Sequence, residues 1–258
     1  MIPGVSVTRY VTPLREGGSL PGVVEGDDLG TYVCKCRGAG QGVRVLVAEV
    51  VVGELARRIG LRTPDLVALE LDPEIARYEA DEEVQDLLNA SAGLNLGVDF
   101  LPGAFGFDGS LPQGAATGPS EVAARVLWLD AFTANVDRSW RNPNLLMWHG
   151  DLWLIDHGAT MIWHHNWPGA DASAARSYDA SDHALARFRP DLAGAAAELA
   201  PRVTEELLAE VTAQVPDAWL AGEPGFGTPD DLRRAYARPL LARAAAVHER
   251  VTGIEEGK

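Results

Sequence analysis

Residues 135–146 read NVDRSWRNPNLL, and residues 152–160 read LWLIDHGAT. In the first stretch Asp137, Arg138, Asn142 and Asn144 crowd a segment too rich in turn formers to continue a helix or a strand. In the second, an apolar strand-like run delivers Asp156 onto a His157–Gly158 turn. Together they set out a carboxylate, an amide five residues later, and a second carboxylate after a short apolar segment. Phosphoryl transfer from a nucleotide needs hard oxygen donors of this kind for a divalent ion, and a carboxylate beside the attacking hydroxyl. One loop can aim Asp137 and Asn142 into a single cavity, a paired strand end can add Asp156, and Gly158 lets the backbone turn behind it. The plainer alternative makes Asp137 and Asn142 turn residues and Asp156 a cap.

Working back toward the N-terminus, the basic residues are informative. Of 22, only Lys35 and Lys258 are lysine. Either this is chance within an arginine-skewed composition, or position 35 needs a compact ammonium that the broad fork of arginine cannot replace. Lys35 lies in GTYVCKCRG (30–38), an alternating run bounded by glycines that reads as a strand. Val33 shares its face, while Cys34 and Cys36 point to the other as small buried hydrophobes. A lysine aimed from a strand into a cleft can grip phosphates, and it needs an anion to hold it. The helix read over 43–61 places Glu49, Gly53 and Ala56 at i, i+4 and i+7 on one face, which selects Glu49. Glu54, with Arg58 four residues on, reads as a solvent-face ion pair. The loop EGGSLPG (16–22) precedes the lysine strand, and its N–H groups could cover phosphates.

Taken in order, Lys35, Glu49, DRSWRN (137–142) and IDHG (155–158) resemble the protein-kinase-like superfamily, and within it the HipA-like kinases. PLREGGSLPGVVE, YVCKCRGAGQG and AEVVVGELARRIGL are similar to the N-terminal part of that family, and ANVDRSWRNPNLL and LWLIDHGA to its catalytic core. The same core pieces also resemble the lipid-kinase branch. The resemblance implies an α+β, bilobal protein-kinase-like fold with a small β-rich N-lobe carrying one helix and a larger, mainly helical C-lobe. It implies ATP and Mg²⁺ as cofactors. Lys35 would bind the α- and β-phosphates and Glu49 would orient it. Asp137 would be the catalytic base, with Asn142 and Asp156 as Mg²⁺ ligands. Gly17, Gly18 and Ser19 would form the phosphate loop, and LVALEL would supply the adenine contact through backbone near Glu70 and Leu71. The expected acceptor is a protein Ser/Thr or a small hydroxylated molecule. A nucleotide-binding pseudokinase and an AMP-transferring enzyme on the same fold are the alternatives. The chain departs from the pattern in two places. Asn135 and Val136 stand where ordinary protein kinases carry a His before the catalytic Asp, and no closing motif of an activation segment follows Asp156. It is also expected to lack the additional N-terminal subdomain of a full HipA toxin.

At 258 residues, 47% hydrophobic and 23% charged, the chain reads as globular. A net charge of −15 argues against binding a nucleic-acid backbone. No apolar run is long enough to span a membrane, and the N-terminus lacks a signal-peptide layout. Cys34 and Cys36 are too close together to staple a fold, so a cytoplasmic setting is expected. The lobes are expected at 1–71 and 72–258, with a hinge near 70 and a ligand cleft between them. Asp72 followed by Pro73 signals a helix start. Residues 93–118 read as a Gly/Pro-rich surface segment, and NLLMW and LWLIDH as strands paired through the turn at 149–151. All seven Trp lie beyond residue 127, which places the larger core in the second part. His149, His157, His164 and His165 admit a zinc-hydrolase reading, against which stands the absence of an i,i+4 His pair or a Cys partner. Ser19 is either an ordinary loop serine or an autophosphorylation site. Arg138 either pairs with a buried carboxylate such as Asp130 or faces solvent.

Overall fold

The alternating, valine-rich stretches of the first hundred residues close into a small barrel. The computed structural model describes residues 1–15, 20–40, 42–111, 118–244 and 246–254. Strands β1 (Gly4–Pro13), β2 (Gly22–Gly26), β3 (Thr31–Lys35), β4 (Leu66–Leu71) and β5 (Gly93–Asp99) run in the order β1-β2-β3-β5-β4. The start of β1 pairs in parallel with β4 and closes the ring. Period-two alternation sends Val5, Val24, Cys34, Val67, Leu69 and Leu71 into one buried cluster. Both cysteines are buried and free.

Helix α1 (Val43–Arg58) joins β3 to β4 and is buried without a break from Leu46 to Gly53. One of its faces packs on the barrel: a Cβ on Gly53 would lie 3.0 Å from Leu66 Cδ1. Both of its ends are tied to the far part of the chain. Arg44 pairs with Glu223 at 2.6 Å, and Arg58 with Glu210. The expected Glu54–Arg58 pair does not form; Glu54, largely shielded, lies 3.7 Å from Arg57 instead.

The chain does not leave the first lobe at residue 71. After Asp72 caps a short 3₁₀ turn at Pro73–Tyr78, helix α2 (Glu82–Ala90) starts under its own cap, Asp81. The chain then returns as β5 between β3 and β4. Residues 93–99 are therefore barrel and not surface loop. Gly97 belongs there because a Cβ would meet the side chains of Val67 and Leu69 at 2.6–2.8 Å. Asn95 is fully buried; its amide donates to Ser91 O and Gly93 O, and its oxygen accepts from Arg37 N–H. The crossing to the second lobe follows Asp99, where Trp148 Nε1 donates to Pro102 O at 3.0 Å.

The second lobe is mainly helical. Strand β6 (Phe105–Gly106) leads to α3 (Pro119–Thr133) and then to the hairpin of β7 (Leu145–Trp148) and β8 (Asp151–Leu154). His149 and Gly150 turn that hairpin with φ of 50° and 81°, as a tight two-residue turn demands. Of the helices α4 (Ala170–Ala174), α5 (Leu192–Leu199), α6 (Glu205–Thr212), α7 (Asp217–Leu220) and α8 (Pro229–Ala244), α5 and α8 pack on α3, whose Trp128 and Phe132 stack at 5.1 Å, while α4, α6 and α7 pack on α8. A two-stranded ribbon of β9 (Tyr178–Asp179) and β10 (Val251–Thr252) lies at the edge. Among the described residues no helix is long and apolar enough to cross a membrane.

Candidate active site

Lys35 leaves the last residue of β3 with Nζ between two carboxylates. Glu49 approaches from α1, and Asp156 Oδ1, from the turn after β8, lies at 2.7 Å. The second oxygen of Glu49 accepts the His157 N–H at 2.9 Å, so one carboxylate holds both the lysine and the residue after Asp156. Asp156 takes a left-handed φ of 58°. Gly158 permits the close approach of α1, since a Cβ there would lie 2.5 Å from Val45 Cγ1 and 3.1 Å from Glu49 Oε1. Burial pushes the Glu49 carboxyl up, and the Asp156 charge adds to the rise against the pull of Lys35. For Asp156 burial also pushes upward, but the Lys35 ammonium overrides it and holds the carboxyl at about 2. The side chain of Asp156 is 50% exposed, which leaves it open to a ligand.

The loop after α3 supplies the second group. Asp137 Oδ2 accepts the side-chain amides of Asn142 at 2.9 Å and Asn144 at 3.1 Å. Asn144 was not selected from the sequence as a site residue; its position two after Asn142, at the mouth of a strand, was the available signal. Backbone bonds from Ile155 N–H to Asn144 O (3.1 Å) and from Val136 N–H to Ala159 O (3.2 Å) lay this loop beside the Asp156 turn. Of the two options for Arg138, the buried one holds: Nε donates to Asp130 Oδ2 at 2.6 Å, and neither side chain is exposed. Burial would raise the Asp130 carboxyl, but Arg138 and His183 pull it down to about 2. His183 is a further member that no sequence pattern singles out.

The structure thus brings together Lys35, Glu49 and Asp156, and beside them Asp137, Asn142 and Asn144. It does not bring Glu70 and Leu71 there. Lys35 and Ala68 both face Leu96, whereas Glu70 and Leu71 face Leu94 and Gly93, at the end of β5 away from the crossing. Leu71 is packed inside the barrel. Gly17, Gly18 and Ser19 lie outside the described residues.

Among the described residues no three His, Cys, Asp or Glu side chains gather into a metal cage. His164 and His165 face each other with their Nε2 atoms 3.1 Å apart, while His157 is buried against Arg138 and His149 sits exposed on the hairpin. Among the described residues the zinc reading has no third ligand. Asp156 and the amide oxygen of Asn142, whose nitrogen is engaged by Asp137, form a small, hard donor set. Such a set suits Mg²⁺ shared with phosphate oxygens and water.

Solved structures similar to the chain include two kinases. One is a proinflammatory kinase of Helicobacter pylori, CtkA, at 10% identity and a TM-score of 0.49, covering 97% of this chain and 95% of that one. The other is a Golgi casein kinase at 13% identity and a TM-score of 0.43, covering 96% of this chain and 71% of that one. No curated protein matches. The family model described as HipA-like kinase matches residues 7–248, nearly the whole chain, and the protein belongs to the HipA-like kinase family.

Proposed function

We propose that the protein is an ATP- and Mg²⁺-dependent phosphotransferase that moves a γ-phosphoryl group to a hydroxyl. One observation carries this reading: a lysine held between Glu49 and the half-exposed Asp156, with the Asp137–Asn142–Asn144 loop alongside. Lys35 binds the α- and β-phosphates, and Glu49 keeps its ammonium in place. Asp156 and Asn142 would hold Mg²⁺, which would supply charge neutralisation at the phosphates. Asp137 commits Oδ2 to two amides. Oδ1 accepts no hydrogen bond among the described residues and is the oxygen that takes the acceptor proton. As that proton leaves, the acceptor oxygen bonds to the γ-phosphorus, the bond to the β–γ bridging oxygen breaks, and ADP departs.

The adenine edge belongs on the backbone at Phe100–Leu101, where the chain crosses between lobes, and not at Glu70–Leu71. The Leu101 N–H donates to no acceptor among the described residues. A cavity of about 280 Å³ flanks the catalytic loop, lined among others by Val136, Ser139, Ile162, Arg176 and Asp182, and offers the acceptor an approach. A larger cavity of about 470 Å³, lined by Glu54, Arg57, Asp65 and Gln214 among others, contains none of these residues.

The test uses ATP labelled separately in the α- and γ-phosphates. The γ label should pass to a hydroxyl acceptor, either a protein Ser/Thr or a small molecule, and Asp137→Asn should stop the transfer. Transfer of the α label would replace this reading by AMP transfer. Tight binding of nucleotide without any transfer would replace it by a pseudokinase.

A further inference from the structure

Beneath the cleft, the carboxylate of Asp130 in the last turn of α3 gathers three donors. Arg138 Nε lies at 2.6 Å, Asn135 Nδ2 at 2.8 Å and His183 Nε2 at 3.0 Å. The Leu185 N–H donates to His183 Nδ1 at 3.1 Å, so the imidazole proton sits on Nε2 and His183 is a donor to Asp130. From this anchor Arg138 Nη1 reaches the carbonyls of Pro143 (3.2 Å), Asn144 and Ile155 (3.3 Å). Pro143 and Asn144 follow Asn142 directly, and Ile155 precedes Asp156. One guanidinium therefore touches the backbone next to each of the two side chains assigned to Mg²⁺. On its other side, His183 carries the segment that follows β9, which also docks through Trp140 N–H to Asp182 O and Ala184 N–H to Arg138 O.

We propose that Arg138 is a positioning residue for the Mg²⁺–nucleotide site, fixing the separation of Asn142 and Asp156 from a buried anchor on Asp130 that His183 completes. The proposal rests on the kinase reading above. It deepens that reading by naming what sets the spacing of the metal ligands. Only arginine meets the demand. Its planar fork serves a carboxylate on one edge and several carbonyls on the other, while a lysine ammonium placed on Asp130 is too compact to reach all of them. Outer contacts of this kind orient metal ligands, and their loss typically costs about tenfold to a hundredfold in metal affinity or activity.

The experiment titrates Mg²⁺ against the thermal stabilisation produced by ATP. It compares wild type with Arg138→Lys, His183→Gln and His183→Phe, and records the stabilisation by ATP alone. Arg138→Lys should need about tenfold more Mg²⁺ for half of the effect while its response to ATP alone stays within about twofold. His183→Phe should raise the requirement by roughly two- to fivefold, and His183→Gln, which keeps a donor at the Nε2 position, should bring it back within about twofold of wild type. A folded Arg138→Lys protein with the wild-type Mg²⁺ requirement overturns the proposal and leaves Arg138 a structural strut. If Arg138→Lys does not fold, the histidine pair decides: equal requirements in His183→Phe and His183→Gln overturn it. A wild-type protein that shows no Mg²⁺-dependent response to ATP defeats the kinase reading itself, and this proposal with it.

Discussion

Lys35 occupies a position that a larger cation would spoil. Its ammonium is shared by Glu49 and Asp156 and its side chain is 15% exposed, so a guanidinium would have to displace one of the two carboxylates. Both Lys35→Ala and Lys35→Arg are expected to weaken nucleotide binding by about tenfold or more, the loss of one charge-assisted phosphate contact. Removing an exposed guanidinium such as Arg77 should leave binding unchanged. Isothermal titration with ATP measures this, and equal effects of Lys35→Ala and Arg77→Ala would sink the argument for the lysine. Several residues that the fold gathers at the candidate site were legible because their types are restrictive: a single interior lysine, one glutamate on the small-residue face of a helix, and the Asp–Asn–Asp order. Glu70 and Leu71, expected at the adenine contact, pair with Leu94 and Gly93 at the end of β5 away from the crossing, and the strand that leads to the crossing was not recognised. Asn144 and His183 act through bonds made across 7 and 53 residues, which no local pattern announces.

Among the elements, β5 shows why a glycine-rich stretch can be a central strand. Gly93 and Gly97 read as loop punctuation, yet Gly97 lies where two β4 side chains leave no space for a Cβ. Long periodic elements such as α1 and α3 announced themselves, and so did the β7–β8 hairpin. Close approach between elements gives a direct prediction at Gly158. An alanine there must displace Val45 or Glu49, and overpacking of this kind costs about 1–3 kcal/mol. Urea unfolding of Gly158→Ala should show that loss, and stability equal to wild type would mean that α1 moves freely away from the Asp156 turn.

The histidine pair after that turn makes a second prediction. His164 is buried against Tyr236, whose hydroxyl lies 3.3 Å from Nδ1, and burial together with the nearby His165 and Arg44 charges pushes its pKa down to about 3. The unfolded chain takes up this proton below about 6.5, while the folded chain does so only near 3. Stability from this group is therefore present above pH 6.5 and falls as the pH drops. Wild type should lose about 1.4 kcal/mol more than His164→Gln between pH 7.5 and pH 5.5. Identical losses in the two proteins would contradict the buried neutral state.

Over the whole molecule, the two lobes share a core. The buried cluster that holds Trp128 and Phe132 also takes in Leu46, Val50 and Leu55 of α1, together with Leu66 and Leu96 of the barrel. Arg44–Glu223 and Arg58–Glu210 pin both ends of α1 to the helical lobe. Lobes joined in this way should unfold together. All seven tryptophans lie in the second lobe, and only Trp219 touches a barrel strand through a hydrogen bond among the described residues, from Nε1 to Leu94 O, so their fluorescence reports mainly on the second lobe. In urea it should change in step with far-ultraviolet circular dichroism, which reports on both lobes, and separate midpoints would contradict the shared core. The bilobal plan could be read from the sequence. The place of the crossing could not, because it depends on a strand inserted between two others.

The most direct measurement is thermal stabilisation by ATP, with and without Mg²⁺, on wild type and Asp156→Asn. At about 100 times its Kd, ATP should add roughly 2.7 kcal/mol to the wild type in the presence of Mg²⁺. The account predicts that Asp156→Asn folds and loses this Mg²⁺-dependent part. An equal Mg²⁺-dependent stabilisation in both proteins would show that Asp156 does not hold the metal and would contradict the central claim.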